Sequence, residues 1–180
     1  MNAILIGDLI LDNYISGDVE RISPEAPIPI LNQTKEKLVL GGALNVSRNL
    51  KNLGNKVFSI GIVGKDNDSN TIFNLMKENG LDTKHIVVDH NSITSKKTRF
   101  IANNQQLLRL DVEKNTYSEE NEKKLKKKIK SLIKETNFVL VSDYGKGVCS
   151  KNLLYETIKI ANEGKIKVFI DPKGSDFNKY

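Results

Sequence analysis

Short apolar runs alternate with amphipathic segments along most of the 180-residue chain. Several of these runs end in glycine or aspartate, which is typical of strands that are buried in a parallel sheet. They cover residues 3–6, 57–63, 138–141 and 168–170. Apolar residues recur at helical spacing after Gly42, after Asp68 or Ser69, within Glu119–Lys134 and after Ser150. This alternation predicts an α/β fold built on a doubly wound, mostly parallel sheet.

Two segments, residues 14–31 and 94–111, interrupt the alternation. The first contains Pro24, Pro27 and Pro29, and proline cannot donate the backbone hydrogen bonds of a central strand. The second is polar and extended, with partial alternation of apolar residues. We therefore expect both segments to leave the main sheet and to form a small accessory sheet.

The net charge of +6 comes from an excess of lysine, with 24 Lys against 4 Arg. Arginine is preferred for forked contacts to phosphates and bases. Many of the lysines also lie on the polar face of the helix predicted within Glu119–Lys134. We therefore expect no nucleic-acid partner, and a salt-dependent binding assay would reveal one.

The cysteine, the histidines and the hydropathy each limit the choice of function. Cys149 is the only cysteine, which excludes an internal disulfide and favours a reducing, cytoplasmic location. His85 and His90 have no cysteines at metal-ligand spacing, so we expect no metal site. No apolar run approaches the ~18 residues that a membrane helix needs, so we expect no membrane partner.

Candidate ligand-binding residues follow the predicted strands, and ligands of open α/β sheets bind beyond the carboxyl ends of the strands. Asp12 follows the first strand on a short loop, where its carboxylate suits two adjacent sugar hydroxyls, although a lone aspartate is more often a surface or capping residue. Gly41 and Gly42 let the backbone approach a ligand at a helix start, or form only a tight turn. Asn45 in that helix is either a further hydroxyl-binding residue or an ordinary exposed asparagine.

Polar groups near the other strands extend this set. In the glycine-flanked turn of residues 143–147, Asp143 suits a hydroxyl and Lys146 suits a phosphate, but such turns often have no ligand. Lys173, after the last strand, is an anion-binding residue or a plain surface lysine. The amides of residues 103–106, which include Gln105, suit sugar hydroxyls or form a polar loop. The sequence contains no G-x-x-x-x-G-K-[ST], G-x-G-x-x-G or G-x-S-x-G motif.

Seven strings taken together resemble the bacterial heptose 7-phosphate kinases, which are ribokinase-like sugar kinases. They are GDLILDNYISGD (7–18), RISPEAPIPIL (21–31), GGALNVSRNLKNLG (41–54), GIVGKD (61–66), TSKKTRFIANNQQLLRLD (94–111), SDYGKGV (142–148) and DPKG (171–174). The resemblance spans the whole chain. Asp12 and the glycine pair fit any ribokinase relative, whereas RISPEAP with NQQLLRLD is much more specific.

The resemblance implies a ribokinase-like sheet with a small β-lid, residues 14–31 and 94–111, that closes over the sugar and often mediates a homodimer. It implies transfer of the γ-phosphoryl group of ATP, with Mg²⁺, to the anomeric hydroxyl of D-glycero-D-manno-heptose 7-phosphate, toward ADP-heptose and the lipopolysaccharide core. The substrate-binding residues that we expect lie on the first strand end, the helix start, the lid and the later strand ends. They are Asp12, Gly41, Gly42, Asn45, Arg21, Gln105, Arg109, Asp143, Lys146 and Lys173.

The sequence departs from this family because it lacks the G-A-G-D segment, which supplies the catalytic base. It also ends six residues after the DPKG string, without a covering helix. We therefore expect the N-terminal part of one ribokinase-like domain, truncated on its C-terminal side, with the catalytic aspartate beyond Tyr180. On this expectation the chain alone binds ATP and Mg²⁺ poorly and is inactive, and the full-length protein continues into an adenylyltransferase domain.

Two other functions fit part of the sequence. Another ribokinase-like sugar kinase would share every feature except the strings of the lid. A stand-alone sugar-binding module without catalysis would bind sugar tightly and would have no longer reading frame downstream.

Overall fold

The computed structural model describes residues 1–114, 116–175 and 177–180. Within them the strands are β1 Asn2–Gly7, β2 Leu9–Ile22, β3 Pro29–Gly42, β4 Lys56–Ile60, β5 Ile62–Gly64, β6 Val87–Asp89, β7 Ser95–Ala102, β8 Gln105–Val112, β9 Phe138–Ser142 and β10 Lys167–Asp171. The helices are α1 Ala43–Asn52, α2 Asn67–Glu78, α3 Glu119–Leu132 and α4 Lys151–Glu163, with a 3-10 turn at Ile133–Glu135.

The central sheet has the strand order β10-β9-β1-β4, and each pairing is parallel. Along β1, Ile4 and Ile6 pack on one face against α3 and α4, while Leu5 packs on the other face against α1 and α2. Because helices cover both faces of β1, its residues from Ala3 to Ile6 are all apolar rather than alternating. The predicted doubly wound α/β fold is confirmed.

A second sheet, which we call the lid sheet, has the strand order β3-β2-β7-β8. Strand β2 pairs antiparallel with β3 and parallel with β7, and β7 pairs antiparallel with β8. The strands contain most of the two segments expected to leave the main sheet, but β2 begins earlier and β3 ends later than those segments. The third sheet is small and consists of β5 and β6 in parallel.

Three local predictions differ from the structure. Asp12 lies within β2 and not on a loop, because the chain resumes an extended path at Leu9, directly after β1. The strand predicted for residues 57–63 is interrupted at Gly61, where a Cβ would lie 2.7 Å from the carbonyl oxygen of Gly7. The N-cap of α2 is Asp66, whose carboxylate accepts a hydrogen bond from the Ser69 backbone N–H.

Candidate functional site

A cavity of about 280 Å³ lies where the lid sheet meets the start of α1. Its walls come from β2, β3, β7, α1 and the turn after β9. The polar groups that line it are Asp12, Tyr14, Asn45, Arg48, Lys97, Arg99 and Tyr144. Three of the predicted sugar-binding residues, Asp12, Gly42 and Asn45, therefore line one cavity, at the carboxyl-terminal side of β1.

The Asp12 carboxylate is bound by Arg99 and packs closely against the backbone of Gly41. Its Oδ1 accepts a hydrogen bond from Arg99 Nη1 at 2.7 Å, and the Arg99 guanidinium also lies 5.0 Å from the centre of the Tyr14 ring. Burial lowers the pKa of Arg99, but the hydrogen bond and charge of Asp12 outweigh it, so the pKa of Arg99 is raised. Gly41 lies beneath the other oxygen, since a Cβ at that position would be 2.1 Å from Asp12 Oδ2.

The start of α1 depends on Gly42, which has φ 53° and ψ −135°. A Cβ there would lie 2.5 Å from the carbonyl oxygen of Asp8, which accepts a hydrogen bond from the Ala43 N–H at 3.0 Å. One turn into the helix, Asn45 Oδ1 accepts a hydrogen bond from Arg48 Nη2 at 2.7 Å. The glycine pair thus brings the first turn of α1 against the cavity without intervening side chains.

Asp8, which was not among the predicted residues, binds the backbone on two sides of the cavity. Its side chain is 1% exposed and accepts hydrogen bonds from the backbone N–H groups of Tyr144 at 2.8 Å, Lys146 at 3.1 Å and Val148 at 3.1 Å. Burial raises the pKa of Asp8, and the three N–H donors oppose that rise. Asp8 therefore fixes both the turn after β9 and, through its carbonyl, the start of α1.

The turn after β9 contains two of the predicted residues in ionic contacts. Asp143 is buried and accepts hydrogen bonds from the Gly145 N–H at 2.7 Å and from Tyr180 Oη at 2.8 Å, and it also pairs with Lys179. The Lys146 ammonium pairs with Glu113, which follows β8. This second contact joins the turn to the lid sheet.

A family model described as pfkB family carbohydrate kinase matches residues 2–180. The chain belongs to the pfkB family of carbohydrate kinases. It is 44% identical over 180 residues to the bifunctional protein HldE of Aliarcobacter butzleri, covering 99% of this chain and 38% of that protein. It is 42% identical to the HldE protein of Geobacter sulfurreducens, covering 100% of this chain and 37% of that protein. The resemblance to the heptose kinases is thereby confirmed, and the chain spans less than two fifths of these relatives.

Solved structures agree on the fold of this pfkB-family chain. Phosphofructokinase-2 from Escherichia coli, solved in complex with fructose-6-phosphate, superposes with a TM-score of 0.72 at 17% identity, over 96% of this chain and 55% of that one. A carbohydrate kinase from Agrobacterium tumefaciens gives a TM-score of 0.71 at 17% identity, over 94% of this chain and 52% of that one. At these identities the likeness establishes the ribokinase-like architecture alone.

Four further predicted residues, like Gly41, Asp143 and Lys146, are not among the residues that line the cavity. Arg21 is exposed near the far end of β2, and Gln105 is exposed at the tip of the β7–β8 hairpin. Arg109 pairs with Asp111 at 2.9 Å on β8. The exposed Lys173 donates its backbone N–H to Tyr180 Oη at 2.9 Å. The structure does not bring these four side chains to Asp12, and their roles in binding stay predictions.

The cavity also contains cationic residues that the sequence analysis missed. Lys97 and Arg99 lie on β7 directly opposite Asp12 and Tyr14 of β2, and Arg48 lies on α1. Side chains two residues apart point to the same face of a strand. The two-residue spacing from Asp12 to Tyr14, and from Lys97 to Arg99, could have indicated that each pair shares one face of a strand. It could not show that the two pairs meet, because this depends on the pairing of β2 with β7.

Residues 1–114, 116–175 and 177–180 contain no group of three or more His, Cys, Asp or Glu side chains placed to hold a metal ion. Within the same residues, none of the helices is both long and apolar enough to span a membrane.

Proposed function

We propose that this chain is the sugar-binding part of an ATP-dependent kinase that phosphorylates the anomeric hydroxyl of D-glycero-D-manno-heptose 7-phosphate, giving the 1,7-bisphosphate for ADP-heptose and lipopolysaccharide core synthesis. The observation that carries the proposal is the Asp12 carboxylate, oriented by Arg99 above the side-chain-free backbone of Gly41 and beside Asn45. The heptose specificity rests on the HldE relatives.

In this proposal the chain positions the sugar. Asp12 accepts hydrogen bonds from two adjacent hydroxyls, because a carboxylate has two acceptor oxygens in one plane. The Asn45 amide supplies a further donor, and Gly41 and Gly42 let the ring approach the backbone. The hydrogen bond from Arg99 fixes the rotamer of Asp12 before the sugar arrives, so less conformational freedom is lost on binding.

The phosphoryl donor is proposed to be ATP with Mg²⁺, as in other pfkB-family kinases. Among the described residues no three carboxylates, histidines or cysteines are grouped to hold a metal ion, and we assign these residues no step in phosphoryl transfer. Phosphoryl transfer also needs a base aligned on the attacking hydroxyl. We expect that base to be an aspartate beyond Tyr180.

The relatives are named bifunctional, and we propose that the full-length protein likewise carries an adenylyltransferase domain. We propose a cytoplasmic location, where ATP is available and where the single buried Cys149 stays reduced. We also propose a homodimer formed through the lid sheet. The support is the face of that sheet opposite the cavity, which we call its outer face. On this face Leu108 is 60% exposed and Leu110 is 51% exposed.

The proposal is tested with the protein as its gene encodes it. ADP release is measured with D-glycero-D-manno-heptose 7-phosphate, fructose 6-phosphate and ribose, and the phosphorylated position is read by ³¹P NMR. We expect kcat/KM to be highest for the heptose by at least about 100-fold, which corresponds to loss of one or two charge-assisted hydrogen bonds by the other sugars. A preference for ribose or fructose 6-phosphate would identify another sugar kinase, and sugar binding without ADP release would identify a non-catalytic module.

A further inference from the structure

An ion pair between Lys146 and Glu113 joins the turn after β9 to the base of the lid sheet. Glu113 directly follows β8, whose last residue, Val112, pairs with Lys96 near the start of β7. The Lys146 side chain is 15% exposed and the Glu113 side chain is 26% exposed. Because both groups are largely removed from water, their attraction is screened less than that of a surface ion pair.

The backbone of Lys146 is fixed independently of its side chain. Its N–H donates to Asp8 at 3.1 Å, and the N–H of Tyr144 donates to the same carboxylate oxygen at 2.8 Å. Tyr144 lines the cavity, whereas Lys146 and Glu113 are not among its lining residues. The turn therefore has a fixed position on the central sheet, and the ion pair holds the lid sheet against it.

The same end of the lid sheet is joined to α2 on its other side. Lys96 of β7 pairs with Asp68 at 2.9 Å, and Thr94 donates its N–H and its hydroxyl to Asp66. Since the start of β7 and the end of β8 are paired, these contacts and the Glu113 ion pair act on adjacent strands. The β7–β8 hairpin is thereby held at its base between α2 and the turn after β9.

The cavity combines groups of the lid sheet with groups of the central part of the molecule. Asp12 and Arg99 lie on β2 and β7, whereas Asn45 and Tyr144 lie on α1 and in the turn after β9. A sugar that contacts both sets needs them at one separation, which the tilt of the lid sheet determines. If the lid sheet also adopts other tilts, the apparent affinity falls by the fraction of molecules that retain the competent one.

We propose that the Glu113–Lys146 ion pair is a latch that holds the lid sheet at the tilt that binds the sugar, which makes Glu113 a positioning residue. This inference rests on the proposed function for the identity of the sugar. Lys146 then acts through the lid sheet and not by direct contact with a phosphate of the substrate. The two roles of Lys146 predict opposite effects of removing Glu113. Breaking a latch weakens sugar binding, whereas freeing a lysine from a competing carboxylate strengthens its binding of a phosphate.

The first test measures kcat and KM for D-glycero-D-manno-heptose 7-phosphate in the protein as its gene encodes it. The variants are Glu113→Gln, Lys146→Met, the double variant Glu113→Gln/Lys146→Met, and Lys146→Arg, which retains the charge. Glu120→Gln is the matched control, because it makes the same change in an ion pair with Lys124 at 2.7 Å on α3, a helix that does not line the cavity.

We expect Glu113→Gln and Lys146→Met each to raise KM about 10-fold and to leave kcat within about 2-fold, because bound sugar itself holds the lid sheet at the competent tilt. The double variant should also raise KM about 10-fold and not about 100-fold, since its second change acts on a pair that is already broken. Lys146→Arg and Glu120→Gln should stay within about 3-fold of the wild-type KM, because the first keeps the latch and the second leaves it untouched.

The second test measures the tilt of the lid sheet without substrate. Electron paramagnetic resonance gives the distance between nitroxide labels at Gln106→Cys on β8 and Lys159→Cys on α4. Both positions are exposed, and the native Cys149 is buried. The wild type should give one narrow distribution of distances, and Glu113→Gln should widen it about 2-fold as the lid sheet samples other tilts.

Two results would overturn the inference while the proposed function stands. One is a lower KM for Glu113→Gln together with a higher KM for Lys146→Met, which would make Lys146 a phosphate-binding residue and Glu113 its competitor. The other is an unchanged KM and an unchanged distance distribution for Glu113→Gln. If Lys146→Met does not fold, Glu113→Gln decides alone. If the wild type does not phosphorylate the heptose, the proposed function has failed separately, and the distance distribution decides: widening supports the latch, and an unchanged width overturns it.

Discussion

The strands of the central sheet and those of the lid sheet differ in how much of their surface is buried. In β1 every residue from Ala3 to Gly7 is buried, and helices cover both faces. In β2 the strand starts buried and becomes exposed toward Ile22, and its polar residues Asp12 and Tyr14 line the cavity. The first sheet supplies stability because its residues lose their contact with water. The second keeps polar side chains free for a ligand and contributes less to the core.

The two sheets are joined by hydrogen bonds to buried or half-buried carboxylates. Asp8 at the end of β1 fixes the turn after β9 and the start of α1. Asp66 at the start of α2 accepts hydrogen bonds from the backbone and the hydroxyl of Thr94, both at 2.7 Å, next to the first residue of β7. The position of the lid over the cavity therefore depends on polar groups of the central part of the molecule.

The largest expected effect separates ligand binding from stability. Asp12→Ala should lower kcat/KM for the phosphorylated heptose about 10²- to 10⁴-fold in the full-length protein, since it removes charge-assisted hydrogen bonds to two hydroxyls. The affinity for ATP and the melting temperature should change little. Asp18→Ala, at an exposed position of the same strand, is the control and should retain wild-type kcat/KM. A large fall in melting temperature without loss of kcat/KM would make Asp12 a structural residue.

A second pair of variants measures the stability of the two sheets directly. Ile6→Ala in β1 removes a side chain that is 0% exposed and should lower the free energy of unfolding by about 2–5 kcal/mol. Leu108→Ala in β8, at a position 60% exposed in the single chain, should lower the free energy of unfolding of the monomer by less than about 0.5 kcal/mol. Urea unfolding measures both values. Equal losses would mean that the lid sheet is part of the core.

The difference between the sheets also explains what the sequence could predict. Strands β1, β9 and β10 were predicted within one residue at each end, because continuous apolar runs mark strands buried on both faces. The start of β2 was missed because Gly7-Asp8 indicated the end of a strand, whereas Leu9 and Leu11 continue the buried face. Gly42 and Asn45 were selected from their place at a helix start and Asp12 from an expected loop after β1, and all three line the cavity although Asp12 lies within β2.

Other parts of the site were beyond the sequence because they depend on pairing between distant residues. Arg99 meets Asp12 only through the register of β7 against β2, 87 residues away along the chain. Asp8 meets the turn after β9 across 136 to 140 residues. A local pattern contains no information about either contact.

The third prediction concerns the hydrogen bonds between Thr94 and Asp66, and how their contribution to stability depends on pH. Burial raises the pKa of Asp66, but the hydrogen bonds from Thr94 and Ser69 outweigh it, so the pKa lies below its ordinary value of 3.8. The lowered pKa means that this carboxylate stabilises the fold fully above pH 3.8, and that the contribution is lost as the pH falls through the lower, folded-state pKa. Asp66→Ala should therefore cost about 1–2 kcal/mol near pH 7, and less in acid.

Urea unfolding of wild type and variant at several pH values between 7 and about 3 measures this difference. Asp68→Ala is the control, because Asp68 lies in the same first turn of α2 and makes only a partly exposed ion pair with Lys96. It should cost less than about 1 kcal/mol. A difference between wild type and Asp66→Ala that grows as the pH falls would contradict the assignment.

The smallest effect on stability is expected on the outer face of the lid sheet, where it tests the proposed homodimer. Leu110 is 51% exposed and shares this face with Leu108, since both alternate with Arg109 on β8. Leu110→Lys should change the free energy of unfolding of the monomer by less than about 0.5 kcal/mol, but it places a charge at the centre of the apolar surface. Sedimentation velocity should therefore show a dimer for the wild type and a monomer for this variant.

Leu53→Lys, at a position 78% exposed beyond the end of α1 and away from the lid, should remain dimeric. A monomeric wild type, or a Leu110→Lys variant that stays dimeric, would exclude the lid face as the interface, and the exposed leucines would then need another explanation.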